Sequence, residues 1–293
     1  MELQRAPGLT GDWLNGWLAA VGVTVRLPGT KLAWSDDPVP AASFTLGEGA
    51  ELSNAVTAVL PTRNELERVT IARYHPSSPS EFGRLVSLES YRSRACLARE
   101  TRDGTLEMSV TDLVPRREKS LQHAGFDPPA PHGTTLLDRA LACAEVISGD
   151  PTASVLSTLE GRSPRKPMNG LGFDYRRFSS GVRPGSDPQV DPIVELLCFC
   201  ALVLFPVRGD GKNLRQRGWV QLEDRSRQRF VWPTWTSPID QWGIDALLDV
   251  VHADPMARKE LSRLGVNAMF ASVERRPAGD QDVNRGYATE RLW

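Results

Sequence analysis

The feature that most restricts how this sequence can fold is an apolar run of sixteen residues, Pro192–Val207, which carries one charge, a glutamate. The run is too short to cross a bilayer, which needs about 20 residues, but it suits a helix buried on most sides. Asp191 can cap the helix N-terminus, Pro192 fits the first helical position, and Pro206 supplies a stop. We therefore expect this run to form a buried helix at the centre of the fold.

Charge is distributed unevenly around this run. Residues 160–229 hold 13 Lys/Arg and 8 Asp/Glu, a net charge of +5, whereas the whole chain has a net charge of −1, so the remainder carries −6. The segment Arg208–Arg229, directly after the run, has seven Lys/Arg against three Asp/Glu. Such asymmetry is typical either of a cationic face for an anionic partner or of ordinary solvated surface.

The pattern of elements predicts an α+β fold with a small antiparallel sheet lobe and a mainly helical C-terminal lobe that contains the buried apolar helix. The chain length allows two lobes. Residues 1–115 are assigned to an N-terminal α+β lobe, and the Pro-rich residues 116–133 to a linker or long loop. Residues 134–275 are assigned to a helical or mixed C-terminal lobe with basic loops, and residues 276–293 to a polar tail.

Individual elements follow from local signals. In the N-terminal part we expect a helix within residues 8–22, capped by Thr10 or Asp12 and ended by Gly22, and then a hairpin of residues 23–27 and 31–34. Further strands are predicted at 41–46, 230–238 and 266–274, and further helices at 50–60, 62–72, 134–148, 151–159, 239–251 and 255–264.

Two basic clusters are candidates for binding phosphates, because each combines Lys/Arg with aromatic residues and with glycines that permit close backbone approach. The first cluster consists of Arg165, Lys166, Arg176 and Arg177, together with Arg162, Tyr175 and Phe178. The second consists of Arg208, Lys212, Arg215 and Arg217, next to Trp219 and accompanied by Gly209, Gly211 and Gly218. Internal pairing with Asp174, Asp210, Glu223 or Asp224 is the alternative explanation.

No motif in the sequence indicates catalysis or a metal site. The four histidines are scattered, and the sequence has no H-x-x-x-H, C-x-x-C or G-x-S-x-G pattern. We therefore predict no catalytic residue, no metal and no cofactor. A stand-alone hydrolase that uses His123 or His132 with Asp127 stays open as an alternative, as does a protein–protein adaptor.

The four cysteines fit small core residues in a reducing compartment, and no export signal precedes the first helix, which predicts a cytoplasmic protein without a membrane anchor.

Several segments together resemble subunits of CRISPR type I-U (I-G) effector complexes. These segments are GLTGDWLNGWLAAVGVT near the start, FDYRRFSSG (173–181), DPIVELLCFCALVLFP (191–206), and RGW followed by RFVWPTWTSPIDQWGIDALL (217–248). The matching positions are Phe173, Asp174, Pro192, Val194, Glu195, Leu196, Trp232, Trp235 and Pro238. The chain departs from the family pattern at Cys200-Ala201, where the helix of the family has a small residue followed by glycine.

The resemblance covers about a third of the chain and implies a non-catalytic subunit of an RNA-guided DNA-surveillance complex. Such a subunit would contact crRNA, the target DNA or the duplex that carries the protospacer-adjacent motif. Its partners would be the other subunits of the effector complex, and a helicase-nuclease recruited in trans would cut the DNA.

Overall fold

The computed structural model describes residues 3–66, 85–87, 120–122, 136–147, 149–172, 174–177, 188–205, 207–209, 214–222, 228–275 and 286–293. These residues form an α+β fold in which helices pack against small antiparallel sheets, as the sequence predicts. The described strand pairs in those sheets run antiparallel.

The helices have the following bounds: α1 Leu14–Arg26, α2 Leu52–Val59, α3 Arg63–Glu65, α4 Leu136–Val146, α5 Pro151–Leu159, α6 Pro192–Ala201, α7 Gln241–Ala253 and α8 Arg258–Arg263. The strands of the two larger sheets are β1 Leu3–Thr10, β2 Lys31–Trp34, β3 Ala41–Thr45, β10 Trp219–Val220, β11 Arg229–Trp235, β12 Val266–Arg275 and β13 Gly286–Arg291. Shorter strands pair as β4 Leu85–Ser87 with β5 Ser120–Gln122, β6 Lys166–Pro167 with β7 Gln189–Val190, and β8 Val207–Gly209 with β9 Leu214–Gln216.

Helix α6 confirms the prediction of a buried apolar helix. Every residue of Pro192–Ala201 is buried, and a 3-10 turn, Leu202–Leu204, continues it. The Asp191 side chain caps the helix by accepting a hydrogen bond from the backbone N–H of Ile193 at 2.9 Å. Asp150 caps α5 in the same way, with Pro151 at the first helical position.

Helix α1 packs directly against α6, and this pair forms the centre of the fold. Gly22 lies inside α1, where an added Cβ would stand 1.9 Å from the backbone oxygen of Leu197. The prediction that Gly22 ends the helix is therefore wrong. The two helices approach so closely that only a residue without a side chain fits at this position.

Three tryptophans join α1 and the two larger sheets through indole N–H donors. Trp17 Nε1 donates to the oxygen of Pro233 at 2.7 Å, Trp232 Nε1 to that of Gly11 at 2.8 Å, and Trp235 Nε1 to that of Leu32 at 2.7 Å. Each of the three side chains is almost fully buried. Trp242, in contrast, is 65% exposed.

The N-terminal elements differ from the sequence prediction in two respects. Residues Val23–Arg26 continue α1 rather than forming a strand, because they are packed against the rest of the core as helix. The predicted hairpin of residues 23–27 and 31–34 is therefore absent, and β2 pairs with β3, whose other edge pairs with β1. Strand β1 contains Pro7 and Gly8 at an irregularity in its register, a position where an edge strand tolerates proline.

The predicted division into domains also needs correction. Among the described residues, one hydrophobic core cluster includes side chains from both predicted lobes, such as Trp17 of α1 and Leu197 of α6. The largest sheet, β10–β11–β12–β13, lies in the C-terminal part that the sequence assigns mainly to helices. Residues Gly286–Arg291, assigned to a polar tail, pair with β12 as strand β13.

Most of the predicted linker 116–133 lies outside the described residues. Within the part of the chain that the structure describes, the helices are too short or too polar to span a bilayer.

Candidate functional site

The first basic cluster is organised around Trp13, at the start of α1. The Trp13 indole Nε1 donates to Asp174 Oδ1 at 2.9 Å, and the same oxygen accepts from the backbone N–H of Arg176 at 2.8 Å. Asp174 is 2% exposed. This buried carboxylate therefore fixes the short 3-10 turn Tyr175–Arg177 against the beginning of the central helix.

Two arginines of this cluster lie against the Trp13 ring. The Arg176 guanidinium carbon is 4.7 Å from the ring centroid and that of Arg165 is 5.8 Å away, both within the distance of a cation–π contact. Their side chains are 33% and 31% exposed. The ring holds both cations at the surface without removing their hydrogen-bond donors.

A cavity of about 230 Å³ opens beside these arginines. We call it the arginine cavity, and residues that line it include Thr10, Trp13, Gly161, Ser163, Arg165 and Arg176. Its wall is closely packed, since a Cβ on Gly8 would stand 2.0 Å from the oxygen of Thr158. Strand β1, helix α5 and the segment after α5 therefore meet at one point.

The carboxylates of Asp174 and Asp191 are occupied by donors of the protein, whereas Asp12 Oδ1, 3.9 Å from Arg176, has no hydrogen-bond partner among the described residues. Asp191 Oδ1 accepts from the backbone of Ile193, and Asp191 Oδ2 accepts from Thr158 Oγ1 at 2.8 Å. Asp174 Oδ1 accepts the two hydrogen bonds described above. These acidic groups therefore serve as internal acceptors.

The arginines, in contrast, keep spare donors. Within the described residues, Arg165 uses Nη1 for the backbone oxygens of Arg176 and Gln189 and for an ion pair with Asp174 at 3.8 Å, which leaves Nε and Nη2. In the described part of the chain, the guanidinium of Arg176 donates no hydrogen bond, and its ion pair with Asp12 is 3.9 Å long. Thr10 Oγ1 also has no hydrogen-bond partner. Because a guanidinium has five N–H donors, the cavity has more donors than acceptors.

Net charge alone does not select an anion here, because Arg165, Lys166 and Arg176 are offset by Asp12, Asp174 and Asp191. Burial raises the pKa of Asp174 above its ordinary value, and the Arg165 charge and the Trp13 hydrogen bond oppose that rise. What distinguishes the cavity is its surplus of donors.

A buried network below the cavity holds the loop that carries Arg176. Glu195, the charge inside the apolar helix, accepts from Asn15 Nδ2 at 2.7 Å and from the backbone N–H of Leu171 at 2.5 Å. Arg139 Nη1 donates to the oxygen of Gly170 at 3.0 Å. Burial lowers the pKa of Arg139, and the Glu195 charge opposes this. The glutamate thus anchors the glycine-containing loop to α6 and α1.

The remaining residues of the first cluster lie near the cavity in different ways. Lys166 is exposed and belongs to β6, directly after Arg165. The backbone of Arg177 lies in the same 3-10 turn as Arg176, and its side chain lies outside the described part of the structure. Arg162 is exposed and pairs with Glu160.

The second cluster is only partly described, and one member needs correction. Arg208 and Arg215 are register partners in the β8–β9 hairpin, while Lys212 and their side chains lie outside the described residues. The Arg217 side chain is 3% exposed and pairs with Asp245 and with Asp249 at 2.8 Å. It also donates to the oxygen of Leu204 at 3.0 Å. The predicted phosphate contact of Arg217 is therefore wrong, because this guanidinium is buried.

Gly218, predicted to allow close approach to a phosphate, has another role. Its φ is +81°, and an added Cβ would stand 2.4 Å from the Phe230 ring. The glycine therefore serves the turn into β10 and its packing.

Sequence reasoning missed the contributions of Trp13 and Thr10. Local signals place Trp13 inside the helix predicted within residues 8–22 and make Thr10 a candidate for its cap. The residue before α1 is Trp13 itself, without a side-chain cap, whereas Thr10 ends β1. Local patterns cannot reveal that Trp13 meets Asp174, a residue 161 positions away.

The residues of the alternative hydrolase, His123, Asp127 and His132, lie outside the described residues. Among the described residues, no group of three or more His, Cys, Asp or Glu side chains is placed to hold a metal ion. Cys143, Cys198 and Cys200 are buried and form no disulfide within the described residues, as expected for core cysteines, and burial raises the pKa of Cys198.

Comparison of the chain with protein-family models, with curated proteins and with solved structures found no match.

Proposed function

We propose that this chain binds the phosphate backbone of a nucleic acid through the arginine cavity. It does so as a non-catalytic, cytoplasmic subunit of a type I-U (I-G) RNA-guided DNA-surveillance complex. It contacts crRNA or target DNA within that complex, alongside the other subunits, and a helicase-nuclease acts in trans. The single observation that carries the proposal is the cavity in which Arg165 and Arg176 flank Trp13 with unused N–H donors.

Phosphate is the chemical group that fits this arrangement. It accepts several hydrogen bonds at once, and arginine presents its donors in a planar fork that matches a phosphate. The carboxylates of Asp174 and Asp191 keep their own donors, so an incoming phosphate does not displace them. An aromatic ring beside cations also occurs widely in sites that follow a nucleic-acid strand.

The segments that carry the family resemblance lie together in the folded chain. Trp13 from the opening segment bonds Asp174 from the FDYRRF segment, and Asn15 bonds Glu195 of the apolar helix. Trp17 bonds the oxygen of Pro233 in the aromatic strand. Residues distant in sequence thus form one connected centre, and the proposed membership of the complex rests on the sequence resemblance of these segments.

Binding is tested with the double variant Arg165→Ala/Arg176→Ala and a short fluorescein-labelled single-stranded RNA, measured by fluorescence anisotropy at several salt concentrations. We expect the affinity to fall and the slope of log K against log salt to become shallower by about 1.4, since each lost contact to a single strand contributes about 0.7. Thermal unfolding of the same variant checks that the chain stays folded.

Arg162→Ala is the matched control, because Arg162 is an exposed, ion-paired arginine of the same segment that lies outside the residues lining the cavity. Its affinity and salt slope should equal those of the unmodified chain. If the double variant stays folded and binds as tightly as Arg162→Ala, the cavity is not the phosphate site. Membership of the complex is tested separately by co-purification, where partner subunits and a raised A260/A280 ratio are expected.

A further inference from the structure

A second cavity, of about 240 Å³, adjoins the arginine cavity. We call it the serine cavity, and the residues lining it include Val146, Ile147, Ser154, Ser157, Pro164 and Ile193. The two cavities share Ser163 and Asp191 in their walls. Between them runs the segment 163–166, in which Arg165 lines the first cavity, whereas Pro164 and Lys166 line the second.

The two cavities lie side by side and differ in chemistry. Each one alone is smaller than the roughly 300–1,000 Å³ of pockets that enclose a small organic ligand, whereas the two combined fall within that range. One side supplies cations and spare donors. The other supplies apolar side chains and serine hydroxyls. Such a pair of compartments fits a ligand with a phosphate at one end and a flat, mostly apolar body with polar edges at the other.

We infer that the two cavities together hold one nucleotide of a single-stranded chain, with its phosphate in the arginine cavity and its nucleoside in the serine cavity. The apolar wall of Val146, Ile147 and Ile193 would cover the base, and Ser154 and Ser157 would meet sugar or base-edge groups. Lys166, exposed at the rim, lies where the strand continues. A paired base cannot enter, because it would first have to leave the duplex stack.

This inference rests on the proposed function and names the ligand of the same site. It is tested by competition, with inorganic phosphate, UMP and dUMP each displacing a fluorescein-labelled single-stranded RNA from the intact chain. We expect UMP to compete about tenfold better than phosphate, because the base would cover apolar side chains and remove their surface from water. Equal competition by UMP and dUMP would mean that the site accepts a nucleotide of either RNA or DNA, in agreement with the inference. Stronger competition by UMP than by dUMP would also agree with the inference and would assign the site to RNA.

Two variants on α5 fill the serine cavity: Ser157→Leu, and Ala153→Phe at an exposed position of the lining. We expect both to abolish the advantage of UMP over phosphate while phosphate competes as before. Leu156→Gln is the control, since Leu156 is 41% exposed on the same helix and lies outside the residues that line either cavity. If Ser157→Leu fails to fold, as judged by thermal unfolding, Ala153→Phe decides the result.

The outcomes separate this inference from the proposed function. If phosphate and UMP compete equally in the unmodified chain, or if the folded variants keep the advantage of UMP, the serine cavity does not hold a nucleoside. The phosphate site would then still stand. If phosphate does not compete and Arg165→Ala/Arg176→Ala binds RNA normally, both the site and the inference are overturned.

Discussion

Arg176 and Arg217 have similar sequence surroundings and opposite environments in the folded chain. Both lie in basic, glycine-containing segments next to an aromatic residue. Arg217 is enclosed by helix α7 and the end of the apolar helix, where Asp245, Asp249 and a carbonyl use its donors. Arg176 lies on an indole ring with its side chain one-third exposed. A basic residue is therefore available for binding only where its unused donors are also exposed, since Arg217 Nε has no hydrogen-bond partner among the described residues but is buried.

The largest effect is expected from Arg217→Ala, which should reduce the free energy of unfolding by about 3 kcal/mol. The value lies at the low end for breaking a buried pair, because Asp249 is 58% exposed and stays solvated. Chemical denaturation measures it, with Asp249→Asn as a control expected to change stability by less than about 1 kcal/mol. If Arg217→Ala kept full stability and bound RNA more weakly, Arg217 would be a binding residue and not a structural one.

Arg176→Ala should show the opposite pattern. We expect RNA affinity to fall about tenfold, or about 1.5 kcal/mol, through loss of a charge-assisted contact to phosphate. Stability should change by less than about 1 kcal/mol, because the side chain is partly exposed and its ion pair with Asp12 is long. Anisotropy and denaturation on the same preparation separate the two quantities. A large loss of stability would make Arg176 a structural arginine like Arg217.

The buried Asp174 predicts a pH dependence of stability. Its pKa is raised in the folded chain by burial, so the folded state holds the proton more tightly than the unfolded state, whose pKa is about 3.9. This contribution is fully present below the unfolded-state pKa and is lost as pH rises through the folded-state pKa.

Denaturation curves across this pH range should therefore show that the free energy of unfolding of the unmodified chain falls as pH rises. The Asp174→Asn variant should lack this fall. Asp37→Asn, at a largely exposed position, is the control, and its free energy of unfolding should fall with pH as in the unmodified chain. Identical pH profiles for all three proteins would show that Asp174 does not titrate in this way.

The smallest effect is expected from Thr10→Val. Thr10 Oγ1 has no partner, so removing the hydroxyl should change the free energy of unfolding by less than about 1 kcal/mol, toward greater stability. RNA affinity should fall about two- to fivefold if the hydroxyl donates to the bound phosphate. Denaturation and anisotropy measure the two changes. Unchanged affinity would remove Thr10 from the site while leaving the arginines in place.

Short-range signals allowed much of the fold to be predicted. Asp191 and Pro192 mark the start of α6, and Asp150 and Pro151 mark the start of α5, because a cap and its first turn are adjacent in sequence. Strand β1 and the continuation of α1 through Val23 and Thr24 were missed. β-branched residues favour strands locally, but here tertiary packing holds them in a helix.

The candidate site could be predicted only in part. Arg165, Lys166 and Arg176 were found from charge, glycine content and nearby aromatics. The common position of Arg165 and Arg176 at Trp13 depends on contacts across more than a hundred residues. The serine cavity had no sequence signal, since its walls come from α4, α5 and the segments before and within α6. Cavities arise from the way elements meet, which local composition does not encode.

The sequence by itself determined the buried apolar helix, the caps that begin it and α5, the α+β class and the concentration of positive charge in residues 160–229. Each of these depends on residue types close together in the chain. Only the tertiary structure decided which arginines are buried and which keep free donors. The partners of Arg217 come from α7 and those of Arg176 from the start of α1. The energy of a charge depends on which groups surround it in space.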